Sequence, residues 1–307
     1  IRLFEGIGRT LREVYEKMVF HPPVAIVAKA GDTGKYKVGL PAWNMVLRGI
    51  MSGAYIAMGG ALATVCSTGI LASDAALQFG TAGPGFAQFM LGAVFPVGLI
   101  ITVMTGAELF TGDAMLAPMA AFIHKVSWAG VLNLWLWVYI GNFIGSVIFA
   151  YIMAYGPCVS FNAAGTATLT AFGIRAIGIA AAKTSYAGTM GLWSVFLKGI
   201  GCNWLVNLAI LLGICADDAI GKIVGIWFPI FAFVATGFEH SVANMYFIPT
   251  GIFCTGLDPT RAVDSVNWIT MWTSNLIPVT IGNIVGGMLF VGVLYWVAFR
   301  KEIEALK

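Results

Sequence analysis

TGFEHSVANMYFIP, residues 236–249, interrupts a long apolar run with a glutamate and a histidine side by side, Glu239 and His240. TGAELFTGDAMLAP, residues 105–118, interrupts another. The two strings share four residues at one constant offset: Thr105, Gly106, Glu108 and Pro118 against Thr236, Gly237, Glu239 and Pro249. Each half also carries a Phe-Pro pair upstream, Phe95-Pro96 and Phe228-Pro229, and a glycine-asparagine string downstream, GNFIG at 141–145 and GNIVG at 282–286. Proline removes a helix donor and kinks a rod. The chain therefore reads as two related halves, each a span, a broken span and a GNxxG span.

The spans follow from composition. The chain is 59% hydrophobic and 10% charged, with a mean hydropathy of +0.87, where soluble domains carry roughly 25% charged residues. A membrane helix needs about 20 mostly apolar residues, and six such stretches are predicted, near 43–70, 86–124, 128–156, 191–215, 221–254 and 272–299. The second and fifth are too long and too interrupted to be simple rods. An odd number of spans per half turns the second half over, so the repeat is inverted, and matching interruptions in inverted halves point to a transport site near the midplane. The organisation predicted is an N-terminal amphipathic segment (1–42), a first three-helix repeat (43–156), an outer connection (157–190), a second repeat (191–299) and a short tail (300–307).

Lys and Arg set the orientation. Arg2, Arg9, Arg12, Lys17, Lys29, Lys35 and Lys37 precede the first span, and Lys125, Lys222, Arg300, Lys301 and Lys307 fall on the same side; Arg175, Lys183 and Arg261 fall on the other. A multi-pass protein of the cell (inner) membrane is expected, with both termini in the cytoplasm. The net charge of +3 reflects this topology and gives no sign of nucleic-acid binding. Cys66, Cys158, Cys202, Cys215 and Cys254 lack any CxxC or metal spacing and read as small packing residues, and no metal or cofactor is expected. In IRLFEGIGRTLREVYEKMVF, Leu3, Ile7, Leu11, Val14 and Met18 share one helical face, as in a helix lying on a surface.

Backbone that leaves the helix cannot face lipid, so the breaks must face protein or water. Glu108, Thr111 and Asp113 gather at the first, and Glu239, His240 and Asn244 at the second. Glu108 and Glu239 recur in both halves and are expected to be structural, accepting backbone N–H groups freed at the breaks. His240 has no counterpart, since Leu109 stands in its place, and the asymmetry marks it for function. Asp113 is expected near the cytoplasmic surface, held by solvation. Arg48 reads as a snorkelling cation, and Lys198 as a packing or vestibule residue.

FVATGFEHSVANMYFIPTGI, SNLIPVTIGNIVGGMLFVGVLYW, TGAELFTGD, GNFIGSVIFAY and PPVAIVAKAGDTGKYKVGL resemble the formate/nitrite transporter family, and the resemblance runs from about residue 20 to 300. It implies an all-α membrane protein with six transmembrane helices in an aquaporin-like inverted repeat, the second and fifth broken, assembled in the membrane as a homopentamer with one pore per subunit. It also implies that His240 faces Thr111 and Asn203 between two hydrophobic constrictions, Phe95, Leu99 and Phe233 on the outer side and Leu109 on the cytoplasmic side. A vestibule lysine is expected outside, for which Lys183 and Lys198 are the candidates. The N-terminal segment can cover the cytoplasmic mouth in such proteins.

The cargo implied is a small monovalent anion of a weak acid, with formate ahead of nitrite or hydrosulfide, moving alone or with a proton. Cations attract the anion and apolar constrictions resist a bare charge, so neutralisation by a proton delivered by or near His240 lets the acid pass. A delivering role makes the pH profile of transport sensitive to His240→Asn. A membrane enzyme using Glu239 and His240 as an acid-base pair is disfavoured: neighbours on a helix point about 100° apart, and no nucleophile or cofactor motif accompanies them. A neutral-solute channel of the aquaporin type would carry Asn-Pro-Ala at the breaks, which this chain does not.

Overall fold

The computed structural model describes residues 20–70 and 83–305; the amphipathic face predicted before Phe20 lies outside them. Helix α1 (Pro23–Val38) lies on one face of the bundle, here the near face. The chain then crosses in α2 (Ala42–Ser67) and returns in three pieces, α3 (Gly83–Val94), α4 (Val97–Thr105) and α5 (Phe110–Phe122). It crosses again in α6 (Trp128–Tyr155). On the far face a hairpin of two three-residue strands, β1 (Val159–Phe161) and β2 (Ala167–Leu169), leads to α7 (Ala171–Thr184). The second half repeats the path with α8 (Gly188–Cys215), α9 (Ala219–Ala235), α10 (Ser241–Leu257) and the long α11 (Trp268–Glu304). Among the described residues five helices are long and apolar enough to cross a membrane, α3 and α4 counting together as one (Gly85–Thr105); α9, at 17 residues, is shorter and is continued by α10.

The second and fifth crossings are broken, as expected, at residues 106–109 and 236–240. Gly106 and Gly237 both turn left-handed, with φ of 74° and 72°, a conformation that costs glycine little. The Phe-Pro pairs differ. The chain turns at Phe95-Pro96 between α3 and α4, bringing the Phe95 carbonyl against Gly59 of α2, whereas α9 runs unbroken through Pro229.

Small residues set the packing. A Cβ on Gly49 of α2 would stand 2.9 Å from the Val138 carbonyl and 3.1 Å from Gly141 Cα of α6; on Gly199 of α8 it would stand 2.9 Å from the Val279 carbonyl and 3.2 Å from Gly282 Cα of α11. Close backbone approach between small residues is how membrane helices associate where water supplies no hydrophobic force. These identical contacts register α2 and α6 on α8 and α11.

The register extends beyond the spans. Tyr36 at the end of α1 accepts a hydrogen bond from Arg48 of α2 at 3.1 Å, and Tyr186 just after α7 accepts one from Lys198 of α8 at 2.9 Å. Helix α1 packs on α5 with Gly34 against the Leu116 carbonyl, and α7 on α10 with Gly251 against Ala180. Each half is thus four elements, a surface helix followed by three crossings. The N-terminal segment and the 157–190 connection contain equivalent helices.

Candidate functional site

Each break presents free backbone groups in the interior, and an asparagine from the GNxxG string receives them. Asn142 Oδ1 accepts from the Phe110 N–H at 2.9 Å, while its Nδ2 donates to the carbonyls of Gly49 and Glu108, both at 2.9 Å. Asn283 Oδ1 accepts from the Ser241 N–H at 2.9 Å, and its Nδ2 donates to Gly199 at 2.8 Å and Glu239 at 3.0 Å. The glutamate N–H groups donate across to α2 and α8, Glu108 to the Arg48 carbonyl and Glu239 to that of Lys198. This corrects the role expected for the two glutamates. Amides of the asparagines and carbonyls of the neighbouring helices satisfy the broken backbone, which leaves the carboxylates to bind side chains.

Those side chains are cationic or N–H and O–H donors. Glu239 accepts from Lys183 at 2.9 Å, Tyr186 at 3.1 Å, Asn244 at 2.6 Å and Asn275 at 3.4 Å. Burial, and then the Glu239 charge, push the Tyr186 phenol well above its usual pKa, so it stays protonated and donates. Asn244 also donates to Asn275 of α11 at 2.7 Å. Glu108 pairs with Lys37 of α1 and lies 3.6 Å from Arg48. Lys37 reaches Asp113 as well, at 2.9 Å. Asp113 is fully buried; the Lys37 ammonium holds it, in place of the solvation expected from its sequence position. Arg48, read as snorkelling, is tied between Tyr36 and Glu108.

At the centre the two halves meet. His240 Nε2 lies 2.9 Å from Thr111 Oγ1, and His240 Nδ1 accepts the Ala243 N–H at 3.0 Å, capping α10. Because Nδ1 is the acceptor of a backbone donor, the neutral ring carries its hydrogen on Nε2 and donates it to the threonine. A second proton on Nδ1 would displace the cap. Asn203 approaches Thr111 through the backbone: its Nδ2 donates to the Thr111 carbonyl at 3.0 Å and to that of Asn283 at 2.6 Å.

A cavity of about 330 Å³ opens from the far face and ends on Phe95, Phe233 and His240, with Lys183, Tyr186, Glu239 and Asn244 in its walls. Phe95 and Phe233 meet edge to face at 5.7 Å, and Phe233 stacks on the His240 ring at 5.8 Å. A second cavity of about 250 Å³ opens from the near face, lined by Tyr36, Lys37, Arg48, Glu108, Leu99 and Leu109 among others. Leu99 therefore lies with Leu109, on the side opposite to Phe95 and Phe233, since α4 continues toward the near face beyond the Phe95-Pro96 turn. Thr111 and Asn203 line neither cavity and stand between them. Lys183 lines the far cavity but is paired with Glu239, and the Lys198 ammonium joins that network through the Tyr186 hydroxyl.

Sequence reasoning missed Lys37, Tyr186, Asn142, Asn283, Asn207 and Asn275. Asn142 and Asn283 stand in the paired GNxxG strings, which served only to establish the repeat. Lys37 was counted only as a topology charge.

The sequence profile described as "Formate/nitrite transporter" matches residues 24–297. The chain is 40% identical over 289 residues to a "Probable formate transporter" of Methanothermobacter thermautotrophicus, covering 92% of this chain and 98% of the relative. It is 35% identical over 292 residues to the "Formate channel BtFdhC" of Bacillus thuringiensis, covering 94% and 100%. A solved structure titled "Pentameric formate channel with formate bound" superposes with a TM-score of 0.68 at 30% identity, covering 84% of this chain and 98% of that one.

Proposed function

The chain belongs to the formate/nitrite transporter family, a family of membrane channels and transporters and not of enzymes, and from that premise we propose that it carries formate across a cell membrane as a homopentamer with both termini in the cytoplasm. The near face is then cytoplasmic and the far cavity the outer vestibule. One observation carries the reading: cavities from opposite faces converge on the Thr111–His240 hydrogen bond, which joins the two broken crossings.

The route divides by charge. Lys183, Tyr186, Asn244 and Asn275 surround Glu239, so the vestibule wall offers a polar but compensated surface at which an anion exchanges water for protein. Beyond it the Phe95 and Phe233 rings on one side, and Leu109 with Leu99 on the other, offer no compensation. A bare charge in such surroundings is far costlier than a neutral acid, so formate crosses as formic acid, protonated in the vestibule from water. The cap on Nδ1 favours a proton acquired near His240 over one stored on it. Through Thr111, His240 keeps a hydroxyl donor between the two cavities.

Uptake of labelled formate into proteoliposomes tests the proposal, with nitrite and hydrosulfide as competitors. Saturable formate uptake faster than in protein-free vesicles is expected. Its absence refutes the formate reading, and saturable nitrite or hydrosulfide uptake in its place would favour that anion as cargo of the same pore.

A further inference from the structure

The inverted repeat supplies an internal control for the central residues. With Gly49 and Gly199 in register, Asn203 corresponds to Gly53 and its neighbour one turn on, Asn207, to Ala57. Across the breaks Thr111 corresponds to Val242 and His240 to Leu109. These four substitutions of polar for apolar residues all fall in one buried cluster, because Asn207 Nδ2 donates to the Thr111 carbonyl at 3.1 Å, beside the bond from Asn203.

Holding that carbonyl does not require two amides. In the other half the equivalent carbonyl, that of Val242, has the Ser146 hydroxyl of α6 at 3.4 Å, a hydroxyl that also lies 3.1 Å from the Gly53 carbonyl. Gly287 of α11 stands where Ser146 stands, and a Cβ there would come within 2.7 Å of both asparagine Nδ2 atoms. The second half has therefore exchanged one hydroxyl for two amides, and each brings a carbonyl oxygen. Both Nδ2 atoms face two backbone carbonyls, Asn203 those of Thr111 and Asn283, Asn207 those of Thr111 and Asn203. That fixes the amide orientation. Asn203 Oδ1 and Asn207 Oδ1 are then acceptors, fully buried, that no donor among the described residues reaches. Buried acceptors without donors are costly, and two arising together at a departure from the repeat call for a donor that arrives.

We infer that Asn207, together with Asn203, accepts a hydrogen bond from the O–H of the protonated substrate, making it a specificity-determining residue of the central passage. The position fits: Asn207 lies between the Thr111–His240 pair and the near-face cavity, whose walls include Gly112, next to Thr111, and Ile210, less than a turn beyond Asn207 on α8. The inference rests on formate crossing as its neutral acid. The formate anion has no O–H to offer these oxygens and meets repulsion from them, whereas formic acid offers one O–H donor and a carbonyl acceptor for the Thr111 hydroxyl.

Two variants in proteoliposomes test it through the concentration dependence of formate uptake at fixed pH. Asn207→Leu removes the acceptor while keeping the side chain branched at the same carbon, and leaves the Thr111 carbonyl its bond from Asn203. Asn207→Ala/Gly287→Ser brings the hydroxyl of the other half to the carbonyl and removes the second acceptor, with the Asn203 amide, 2.7 Å from the new Cβ, left to shift. In both, KM is expected to rise about three- to tenfold, the worth of one neutral hydrogen bond, with the maximal rate changed by no more than about twofold. An unchanged KM in Asn207→Leu overturns the inference, as does a KM restored by the double variant, which would make Asn207 a carbonyl clamp only. Failure of both variants to fold likewise assigns Asn207 to the scaffold. Absence of formate uptake by the unaltered protein defeats the formate reading itself, whereas normal uptake with KM unmoved by the variants defeats only this inference.

Discussion

Replacing His240 separates two roles that its position in the pore would otherwise confound. In the structure its Nδ1 accepts the Ala243 N–H and its Nε2 faces Thr111 Oγ1, so the ring is at once a helix cap and a donor. Asparagine is among the best capping residues, and His240→Asn keeps the cap while losing the reach to Thr111. His240→Ala loses both. The cap is worth about 1 kcal/mol and the buried hydroxyl left without its donor about 1 kcal/mol more. The alanine variant should therefore be less stable by about 2 kcal/mol, and the asparagine variant by about half that, in reversible denaturation of the detergent-solubilised protein.

Transport discriminates further. Well above its own pKa, a carboxylic acid gains about tenfold in neutral form for each unit fall in pH. If formate is neutralised in the vestibule and His240 only donates a hydrogen bond, uptake by His240→Asn falls by about tenfold or less and follows pH with the slope of the unaltered protein. If His240 delivers the proton, the asparagine variant loses that slope. Uptake rates from pH 5 to 8 at fixed total formate are the assay. A flattened profile for His240→Asn refutes the argument from the Nδ1 cap, and equal stability of the asparagine and alanine variants refutes the cap itself.

The repeat predicts matched costs. Asn142→Leu and Asn283→Leu each remove three buried hydrogen bonds; at about 0.6 kcal/mol each within a membrane, each variant should lose about 2 kcal/mol in the same denaturation measurement, and a difference between them well beyond 1 kcal/mol would break the equivalence. Gly53→Ala sets a Cβ 2.1 Å from the Asn142 carbonyl and should cost about 1–3 kcal/mol, whereas Gly178→Ala on the exposed side of α7, with nothing within 4 Å, should be neutral or stabilising by up to about 1 kcal/mol. Lys183→Met strands the Glu239 charge and is expected to cost about 3 kcal/mol or more; adding Glu239→Gln should recover most of it, and a failure to recover would mean that Lys183 stabilises through contacts other than this pair.

The crossings were legible because hydropathy over about 20 residues is a coarse property that survives any detail of packing. The breaks were legible because a left-handed turn nearly demands glycine, and Gly106 and Gly237 therefore persist beside their glutamates. The equivalence of α1 and α7 was hidden. Its carriers are Tyr36 with Arg48 and Tyr186 with Lys198, two positions among otherwise dissimilar residues, one of them occupied by different cations. Surface helices are held by a few side chains, and a few side chains leave little periodicity to detect.

Asn142, Asn283 and Asp113 were hidden for another reason. Each is a polar residue whose meaning depends on what faces it across the bundle, and local sequence does not record that partner. The repeat recovers part of this information once the halves are registered on each other. Positions that agree between halves, the two break glutamates and the two GNxxG asparagines, hold the backbone or balance charge in both. Positions that disagree, Thr111, Asn203, Asn207 and His240, would be expected to scatter if the halves had merely drifted apart. They converge instead on one carbonyl and one hydroxyl of Thr111, at the junction of the two cavities, where the proposed passage of a neutral acid needs polar contacts.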